Sequence, residues 1–157
     1  MKPRILIAHT RYKQRGGEDM VMESESELLR RNGHSIELFE ENNELIAGMS
    51  RINLALETVW SNKAKNSISQ AIERFKPDLI HAHNTFPLMS PSIYWAASQH
   101  GIPVIQTLHN FRLLCPQAMF LRNGKICEDC LNRIPWRGII HGCYHDSMIQ
   151  TAVATTM

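Results

Sequence analysis

Four histidines in this sequence each follow a short run of apolar residues. They are His9, His81, His83 and His109, and the runs before them are typical of buried β-strands. Imidazole is the side chain that most readily takes or gives a proton near neutral pH. Ligands of open parallel α/β sheets bind outside the carboxyl ends of the strands. We therefore expect a polar binding or reaction site at the sheet edge where these histidines gather.

The pair His81 and His83 also permits a second interpretation. Residues two apart on a strand share one face of the sheet, and metal hydrolases often hold a divalent ion with a His-x-His pair. A metal-dependent hydrolase that uses His81 and His83 is therefore an alternative function. The barrel usual for such enzymes needs about 250 residues. This chain has 157, and no carboxylate cluster accompanies the pair in the sequence.

A pair of glycines precedes the first predicted helix. Gly16 and Gly17 lead into a helix in which Asp19 is the N-cap or a first-turn acid. Backbone amides at a helix N-terminus favour an anion, so the turn is a candidate contact for a phosphate or a substrate. A plain glycine turn that only enters the helix is the alternative. A dinucleotide-binding fingerprint is excluded, because no Gly-x-Gly-x-x-Gly pattern follows the strand.

Strand and helix patterns alternate along most of the chain. The predicted strands are 4–9, 35–39, 78–83 and 103–108, and the predicted helices are 18–32, 42–60, 62–75, 90–101 and 147–157. In the first helix Val21, Ser24 and Leu28 fall at helical spacing and are expected to face the core. In the fourth helix Ser90 is the predicted N-cap and Pro91 the first helical residue. The alternation predicts an α/β fold, a doubly wound parallel sheet with helices on both faces.

All four cysteines lie in a segment without helix or strand periodicity, residues 111–145. A connection of this length needs an ordering device or a function. The cysteines are Cys115, Cys127, Cys130 and Cys143. Their Cys-x11-Cys-x2-Cys-x12-Cys spacing suits a structural zinc site, in which His141 or His145 could replace one thiolate. Disulfides and unligated thiols are the alternatives.

The composition is that of an ordinary globular protein. Its 157 residues suit one domain, and an apolar fraction of 43% suffices for a core. A net charge of +2 gives no argument for nucleic acid. The apolar run near the N-terminus has four residues, too few for a signal peptide or a spanning helix. A cytoplasmic location is therefore expected, where thiols stay reduced.

Four segments, in this order and at these separations, carry a resemblance to a known family. They are GGED at 16–19, NGH at 32–34, KPDLIHAHN at 76–84 and GIPVIQTLHN at 101–110. The chain resembles the N-terminal, acceptor-side domain of family 4 glycosyltransferases, which are retaining enzymes of the GT-B fold built from two Rossmann-like halves. The irregular cysteine-bearing insert resembles that of a bacterial subgroup, in which the insert follows the fourth strand.

The resemblance implies that the chain is half of an enzyme that moves a sugar from a nucleotide-diphosphate-sugar donor to an acceptor. His109 resembles the family histidine that contacts the donor sugar, and it is the expected catalytic residue. Retention requires stabilisation of an oxocarbenium-like species and of the departing diphosphate more than a strong base. The expected substrate-binding residues are Gly16, Gly17, Asp19, His83, Asn84 and Asn110.

The expected partners follow from the same resemblance. They are a sugar or lipid-linked acceptor of polysaccharide biosynthesis and a C-terminal donor-binding domain or chain, with peripheral membrane association as a further expectation. A single domain over 1–157 is predicted, with the insert at 111–145 and the donor-binding half absent. The chain is therefore expected to be inactive alone. A non-catalytic zinc-binding interaction module on an α/β scaffold is the other alternative function.

Overall fold

A computed structural model describes residues 2–157. Backbone contacts divide the chain into two compact units, of which the first ends at Thr107 and the second is Leu108–Met157. We call them the sheet unit and the cysteine unit. The sheet unit contains β1 Arg4–Arg11, α1 Gly17–Arg31, β2 Ser35–Asn42, a 3₁₀ helix Asn43–Gly48, α2 Arg51–Val59, α3 Asn62–Phe75, β3 Leu79–Ala82, α4 Ser92–Gln99 and β4 Val104–Gln106. Across residues 2–157, no helix has the length and apolar composition needed to cross a bilayer.

The four strands of the sheet unit form one parallel sheet in the order β2-β1-β3-β4. The predicted doubly wound α/β fold, of the kind found in a Rossmann-like half, is therefore confirmed. Because β2 lies on one side of β1 and β3 on the other, the direction of winding reverses between β1 and β3. Ligand sites of such sheets lie beyond the carboxyl ends of the strands at this switch point. The fold therefore places the candidate site just beyond β1 and β3.

Two apolar clusters bury the opposite faces of the sheet. Successive residues of a strand point to opposite faces. Leu6 and Ala8 accordingly join α3 and α4 on one face, whereas Ile5 and Ile7 join Met22 of α1 on the other. The buried members of the larger cluster are Leu6, Ala8, Ala64, Ile68, Ala71, Ile72, Ile80, Met89, Ile93, Ala96 and Ala97. Helix α1 thus covers one face of the sheet, and α3 and α4 cover the other.

Two predicted helix boundaries are wrong. The helix predicted over 42–60 is two helices, because Ser50 caps α2: its Oγ accepts an N–H of the first turn at 3.2 Å. The next difference concerns α4, which begins at Ser92 with Pro91 as its N-cap. Ser90 lies outside the helix with φ of 53°, and its Oγ accepts the Ser92 N–H at 3.2 Å. Polar side chains, rather than apolar periodicity, fix both helix starts.

The buried face of α1 also differs from the prediction. Asp19, Met22 and Ser26 are buried, whereas Val21 and Leu28 are 40% and 60% exposed. The helix is therefore rotated by about 100°, the angle of one residue, from the predicted orientation. Its inward face carries polar side chains, which apolar periodicity does not detect.

The cysteine unit consists of short elements. They are β5 Leu121–Arg122, β6 Lys125–Ile126, α5 Trp136–Ile140 and α6 Met148–Thr156. β5 and β6 form an antiparallel hairpin whose turn residues, Asn123 and Gly124, have φ of 52° and 73°. Positive φ at both positions is the conformation of a type I′ turn. The hairpin and α5 therefore give local order to residues 111–145, which the periodicity predicts as irregular.

The cysteine unit buries few apolar side chains. Within residues 108–157, all of which the structure describes, the buried apolar side chains are those of Cys115, Pro116, Ala118 and Ala154. Both apolar clusters consist of sheet-unit residues. Six of the eight non-glycine residues with positive φ in residues 2–157 lie in the cysteine unit. A unit with so small a core and so irregular a backbone needs a further source of stability.

Candidate functional site

Three histidines lie on the face of the sheet that α1 covers. His81 is in register with Ile7 on β1, and His9 and His83 follow these two residues at strand spacing. The imidazoles of His9 and His83 are buried and meet edge to face, with ring centres 6.2 Å apart. The ring centres of His81 and His83 are 4.3 Å apart. The structure thus brings these three predicted histidines together at the carboxyl ends of β1 and β3.

A buried hydrogen bond joins the end of β1 to the start of α1. His9 Nε2 lies 2.8 Å from Asp19 Oδ1, and the Gly16 N–H donates to Asp19 Oδ2 at 2.7 Å. Burial by itself raises the pKa of Asp19. The hydrogen bonds from Gly16 and His9 outweigh burial, so the pKa of Asp19 lies below its ordinary value. Asp19 is therefore an ionised first-turn acid that fixes the glycine turn relative to His9.

The glycine turn leaves open space above the first turn of α1. Gly16 and Gly17 do not belong to the residues with positive φ. A Cβ at Gly17 would meet nothing within 4 Å, and a Cβ at Gly16 would meet nothing closer than 3.8 Å. Neither backbone strain nor packing within the chain thus requires these glycines. The space leaves room for a ligand to approach the backbone at the helix N-terminus.

Charged side chains flank the glycine turn. Arg11 Nη1 lies 2.8 Å from Glu23 Oε1, and Arg11 Nη2 lies 2.7 Å from Glu40 Oε1. Arg15 pairs with the other carboxylate oxygen of Glu23. The hydrogen bonds from Arg11 and Arg15 hold the pKa of Glu23 below its ordinary value. An exposed guanidinium, that of Arg15, therefore belongs to the segment that leads into the amide end of α1.

Asn84 connects the loop after β3 to the end of β1. Its main-chain oxygen accepts the Thr10 N–H at 2.6 Å, and its Nδ2 donates to the Thr10 oxygen at 3.0 Å. Its Oδ1 accepts the Phe86 N–H at 3.1 Å. Both ends of the buried amide group therefore bind backbone. The side chain of Asn84 positions the loop at the switch point.

One member of the histidine cluster, Glu25, is absent from the sequence prediction. Its Oε2 lies 3.2 Å from His83 Nε2 and 3.9 Å from His81 Nε2. His81 Nε2 also lies 2.8 Å from Thr107 Oγ1. Glu25 stands three residues after the buried Met22, on the same side of α1. The sequence signal for Glu25 is an acidic residue next to the face of α1 that is buried in the structure.

His109 and Asn110 belong to the cysteine unit, and they follow β4 shortly after the boundary at Thr107. Both residues are partly buried. Asn110 Oδ1 accepts the Arg112 N–H at 3.0 Å, a bond typical of Asx turns. Asn110 therefore shapes the first turn of the cysteine unit, and the donor and substrate roles of these two residues stay predictions.

The four cysteines are free thiols, with Cys115 buried and Cys127, Cys130 and Cys143 partly buried. Burial raises the pKa of Cys130 and Cys143, and neighbouring thiols raise it further. A hydrogen bond from the Gly138 N–H lowers the pKa of Cys130 in part. Among residues 2–157, the cysteine sulfurs do not form a group of three within 4.8 Å. Zinc ligation by these cysteines therefore stays a prediction.

The comparison with known families covers most of these residues, but not His9, Arg11 or Cys143. The model of Glycosyltransferase Family 4 matches residues 15–134. The chain belongs to glycosyltransferase family 4. No curated protein matches it in sequence. The match to the family contains all four segments on which the resemblance rests, and it ends before Cys143.

For this family 4 domain, a glycosyltransferase-like function follows in general terms. This function implies interaction with sugar donors or acceptors in general. The histidine edge with its open glycine turn is a polar site at the position where ligands of such sheets bind. The family prediction is therefore confirmed. Placement in the GT-B fold, the cysteine-bearing subgroup and the role of each site residue stay predictions.

Proposed function

We propose that this glycosyltransferase domain is the N-terminal, acceptor-side half of a retaining GT-B enzyme. The observation that carries the proposal is the hydrogen-bonded link from Gly16 through Asp19 to His9 in a chain of family 4. The link joins an open turn at the start of α1 to a buried histidine at the switch point of the sheet. Imidazoles and backbone amides at such an edge offer the donors and acceptors that a polyhydroxylated substrate requires.

The acceptor would lie against the glycine turn. The N-terminus of α1 carries partial positive charge, and Arg15 adds an exposed guanidinium. An acceptor with an anionic group, such as a lipid-linked sugar phosphate, would be favoured at this position. His83 borders the same edge, and Asn84 holds the loop that carries it. These features support binding of the acceptor by the sheet unit.

His109 would act on the donor. Its proposed role is to donate a hydrogen bond to the donor sugar and so stabilise the charge that develops as the diphosphate departs. Removal of one such donor lowers kcat by about 100-fold or more. We therefore expect His109→Ala to reduce sugar transfer about 100-fold in an enzyme that contains both halves. Acceptor binding by the sheet unit should not change.

The 157-residue chain by itself would bind an acceptor without transferring sugar. Transfer in a GT-B enzyme takes place between two Rossmann-like halves, and residues 2–157 contain one parallel sheet. In this proposal a C-terminal donor-binding domain or chain holds the nucleotide-sugar. Family membership favours this function over the metal-dependent hydrolase.

Nuclear magnetic resonance of the ¹⁵N-labelled chain tests the proposal. The chain is titrated with monosaccharides, oligosaccharides and sugar 1-phosphates, and separately with UDP-glucose and GDP-mannose. Acceptor sugars should shift the amide signals of residues 9–19 and 81–86, and no nucleotide-sugar should be consumed. Steady turnover of a nucleotide-sugar by the chain alone would contradict the half-enzyme proposal. Absence of any response to the sugars would favour the zinc-binding interaction module instead.

Structural zinc in the cysteine unit is the second part of the proposal. The ligands would be Cys115, Cys127, Cys130 and Cys143, in a cytoplasmic protein whose thiols stay reduced. The small apolar core of residues 108–157 supports this idea, because small units commonly gain their stability from a metal or from disulfides. Ligation would replace the protons of thiols whose pKa is raised by burial.

Peripheral membrane association is the third part of the proposal, and the exposed apolar residues of α2 support it. Ile52, Leu56 and Val59 recur on one side of this helix and are exposed. Trp60 and Trp95 are also exposed, with ring centres 6.3 Å apart. Aromatic and aliphatic side chains on an amphipathic helix are typical of surfaces that insert into the lipid interface.

Flotation with anionic phospholipid vesicles tests the proposed membrane association. Leu56→Asp should reduce the membrane-bound fraction, because a carboxylate would enter the apolar side of α2. Ile126→Asp, at an exposed isoleucine of the β5–β6 hairpin, is the matched control and should float like the unmodified chain. Equal loss in both variants would reject α2 as the contact surface.

A further inference from the structure

We propose that Glu25, His81 and His83 bind a divalent transition-metal ion in the sheet unit. One ligand atom from each of these side chains lies within 4.8 Å of the others. In residues 2–157 no other set of three or more His, Cys, Asp or Glu side chains has this spacing. The inference does not depend on the proposed sugar transfer, because all three residues belong to one unit and the ion can be detected directly.

The separations of the ligand atoms suit a small cation. Glu25 Oε2 is 3.2 Å from His83 Nε2 and 3.9 Å from His81 Nε2. Metal–ligand bonds of about 2.0–2.2 Å in a tetrahedral site place neighbouring ligand atoms roughly 3.3–3.6 Å apart. The separation between Glu25 and His83 already matches this spacing, and ligation requires the His81 side chain to move closer to both, from positions at which all ligand atoms lie within 4.8 Å of one another.

The ligand set selects a class of metal. Two imidazoles and one carboxylate are typical of sites for Zn²⁺, Mn²⁺, Fe²⁺ or Co²⁺ that leave coordination positions open. Ca²⁺ and Mg²⁺ prefer ligand sets made entirely of oxygen. The remaining positions on the ion would take water or an oxygen of a bound molecule. The predicted His-x-His pair lacked a carboxylate in the sequence, and Glu25 of α1 supplies it.

The surroundings hold two of the ligands firmly and leave the third accessible. The side chains of His83, His81 and Glu25 are 0%, 15% and 39% exposed. Both histidines are placed by β3 and the residue that follows it. Ligation through His81 Nε2 would replace the contact of that atom with Thr107 Oγ1, which lies 2.8 Å away. The Asp19–His9 bond fixes the start of the helix that carries Glu25. An ion can therefore enter from the Glu25 side without opening the sheet.

A simple ion pair between Glu25 and His83 is the competing explanation for the same contact. Such a pair needs no metal and would persist in a chelated sample. Metal binding to the cysteines would also confuse a simple metal analysis. The experiment must therefore distinguish nitrogen and oxygen ligands from sulfur ligands.

Cobalt absorption spectroscopy makes that distinction on the full 157-residue chain. The protein is treated with a chelator, dialysed and titrated with Co²⁺ under reducing conditions. Thiolate ligands give strong near-ultraviolet charge-transfer bands, whereas a site of histidine and carboxylate ligands gives visible d–d bands without them. We expect one equivalent of Co²⁺ to bind with visible d–d bands and without any increase in the near-ultraviolet charge-transfer absorption.

Glu25→Gln should weaken this equivalent at least about tenfold, the usual minimum for loss of a group that supports a metal. Glu27→Gln is the matched control, because Glu27 lies on the exposed side of the same helix and pairs with Arg31. If Glu25→Gln does not fold, His81→Gln takes its place, with His100→Gln as its control. Sulfur-type binding alone, no binding, or equal affinity in the cluster and control variants would overturn the proposal.

Discussion

The sheet unit and the cysteine unit obtain their order in different ways. The sheet unit has two apolar clusters on opposite faces of four parallel strands. The cysteine unit has two strands of two residues each and four buried apolar residues within 108–157, none of them a large aliphatic or aromatic side chain. Burial of apolar surface therefore accounts for the stability of the first unit and leaves that of the second to another source.

Two glycines, one in each unit, also differ in the space around them. A Cβ at Gly17 in the sheet unit would meet open space, whereas a Cβ at Gly138 in the cysteine unit would lie 2.9 Å from Pro116 Cγ and 3.4 Å from Cys130 Sγ. Gly17 therefore leaves room for something outside the chain. Gly138 instead lets the backbone of α5 pass close to a cysteine.

Removal of zinc is the change for which we expect the largest difference in behaviour between the two units. Protein purified without added metal should contain about one zinc at the cysteines, measured as the difference in zinc content between the unmodified chain and Cys130→Ser, because ligation contributes roughly 10 kcal/mol in small zinc domains. Cys130→Ser should release the ion and disorder residues 111–145, while the amide signals of the sheet unit keep their positions. Metal analysis and a ¹⁵N–¹H correlation spectrum measure both effects.

The unmodified chain treated with chelator is the control for Cys130→Ser, and it should reproduce the same loss of signals. A metal-free preparation in which all four thiols react freely and the cysteine unit stays ordered would show that zinc is not its source of stability. Collapse of the sheet signals in either sample would show that the two units are not independently stable.

Asp19→Ala tests the polar link of the sheet unit. The substitution leaves buried His9 and the Gly16 N–H without their acceptor, so the free energy of unfolding should fall by about 3 kcal/mol. Because the pKa of Asp19 is lower in the folded than in the unfolded chain, its stabilisation is present above the pKa of the unfolded chain and is lost as the pH falls through the pKa of the folded chain. We therefore expect the difference in free energy of unfolding between the unmodified chain and Asp19→Ala to be smaller below pH 4 than at pH 7, as measured by urea unfolding.

Glu27→Ala serves as the control for Asp19→Ala, since it removes an exposed acid of the same helix. Its effect should stay within about 0.5 kcal/mol. A pH-independent loss of stability in Asp19→Ala would show that the Asp19 carboxylate is not an ionised hydrogen-bond partner of His9.

Gly138→Ala should destabilise the cysteine unit. The new methyl group would overlap Pro116, and overpacking of this kind costs about 1–3 kcal/mol. Hydrogen exchange of amides in 136–143 should become faster, whereas exchange in the sheet unit should not change. Gly48→Ala, where the added Cβ meets nothing within 4 Å, is the matched control. Unchanged exchange in Gly138→Ala would contradict the close packing around Cys130.

Gly17→Ala should have the smallest effect on stability. It should stabilise the chain, whereas the preceding substitutions destabilise it. Alanine in the first turn of α1 restricts the unfolded chain without a clash, so unfolding should cost about 0.4–1 kcal/mol more. The methyl group would occupy the open space above the turn, and binding of acceptor sugars should weaken. Calorimetric unfolding and the sugar titration measure the two effects, with Gly48→Ala again as the control. Unchanged sugar binding would exclude the turn as a contact.

Much of the sheet unit could be predicted from the sequence. The alternation of strands and helices, the order of the predicted elements and the histidines at the carboxyl ends of β1 and β3 all agree with the structure. Strand ends differ by one to three residues, since β1 continues to Arg11 and β2 to Asn42. Periodicity detects the apolar interior of a strand well, but the end of a strand depends on the hydrogen bonds of its neighbours.

The orientation of α1 is what the sequence prediction missed, and with it part of the site. Val21 and Leu28 looked like the inward face because they are apolar, yet Asp19, Met22 and Ser26 are buried. The partner of Asp19 is His9, ten residues earlier in the chain. The partners of Glu25 are even more distant in sequence, so no local pattern reveals them.

The sequence by itself determined the fold class, the family and the types of residue at the end of each strand. Those features depend on local propensity, on short motifs and on the period of apolar residues. Only the tertiary structure decided that Glu25 meets His81 and His83, that Asp19 ties the glycine turn to His9, and which glycines face open space. The contacts of Glu25 join elements far apart in the chain, and those of Asp19 depend on the rotation of α1, which buries polar partners together. A one-dimensional pattern does not record either feature.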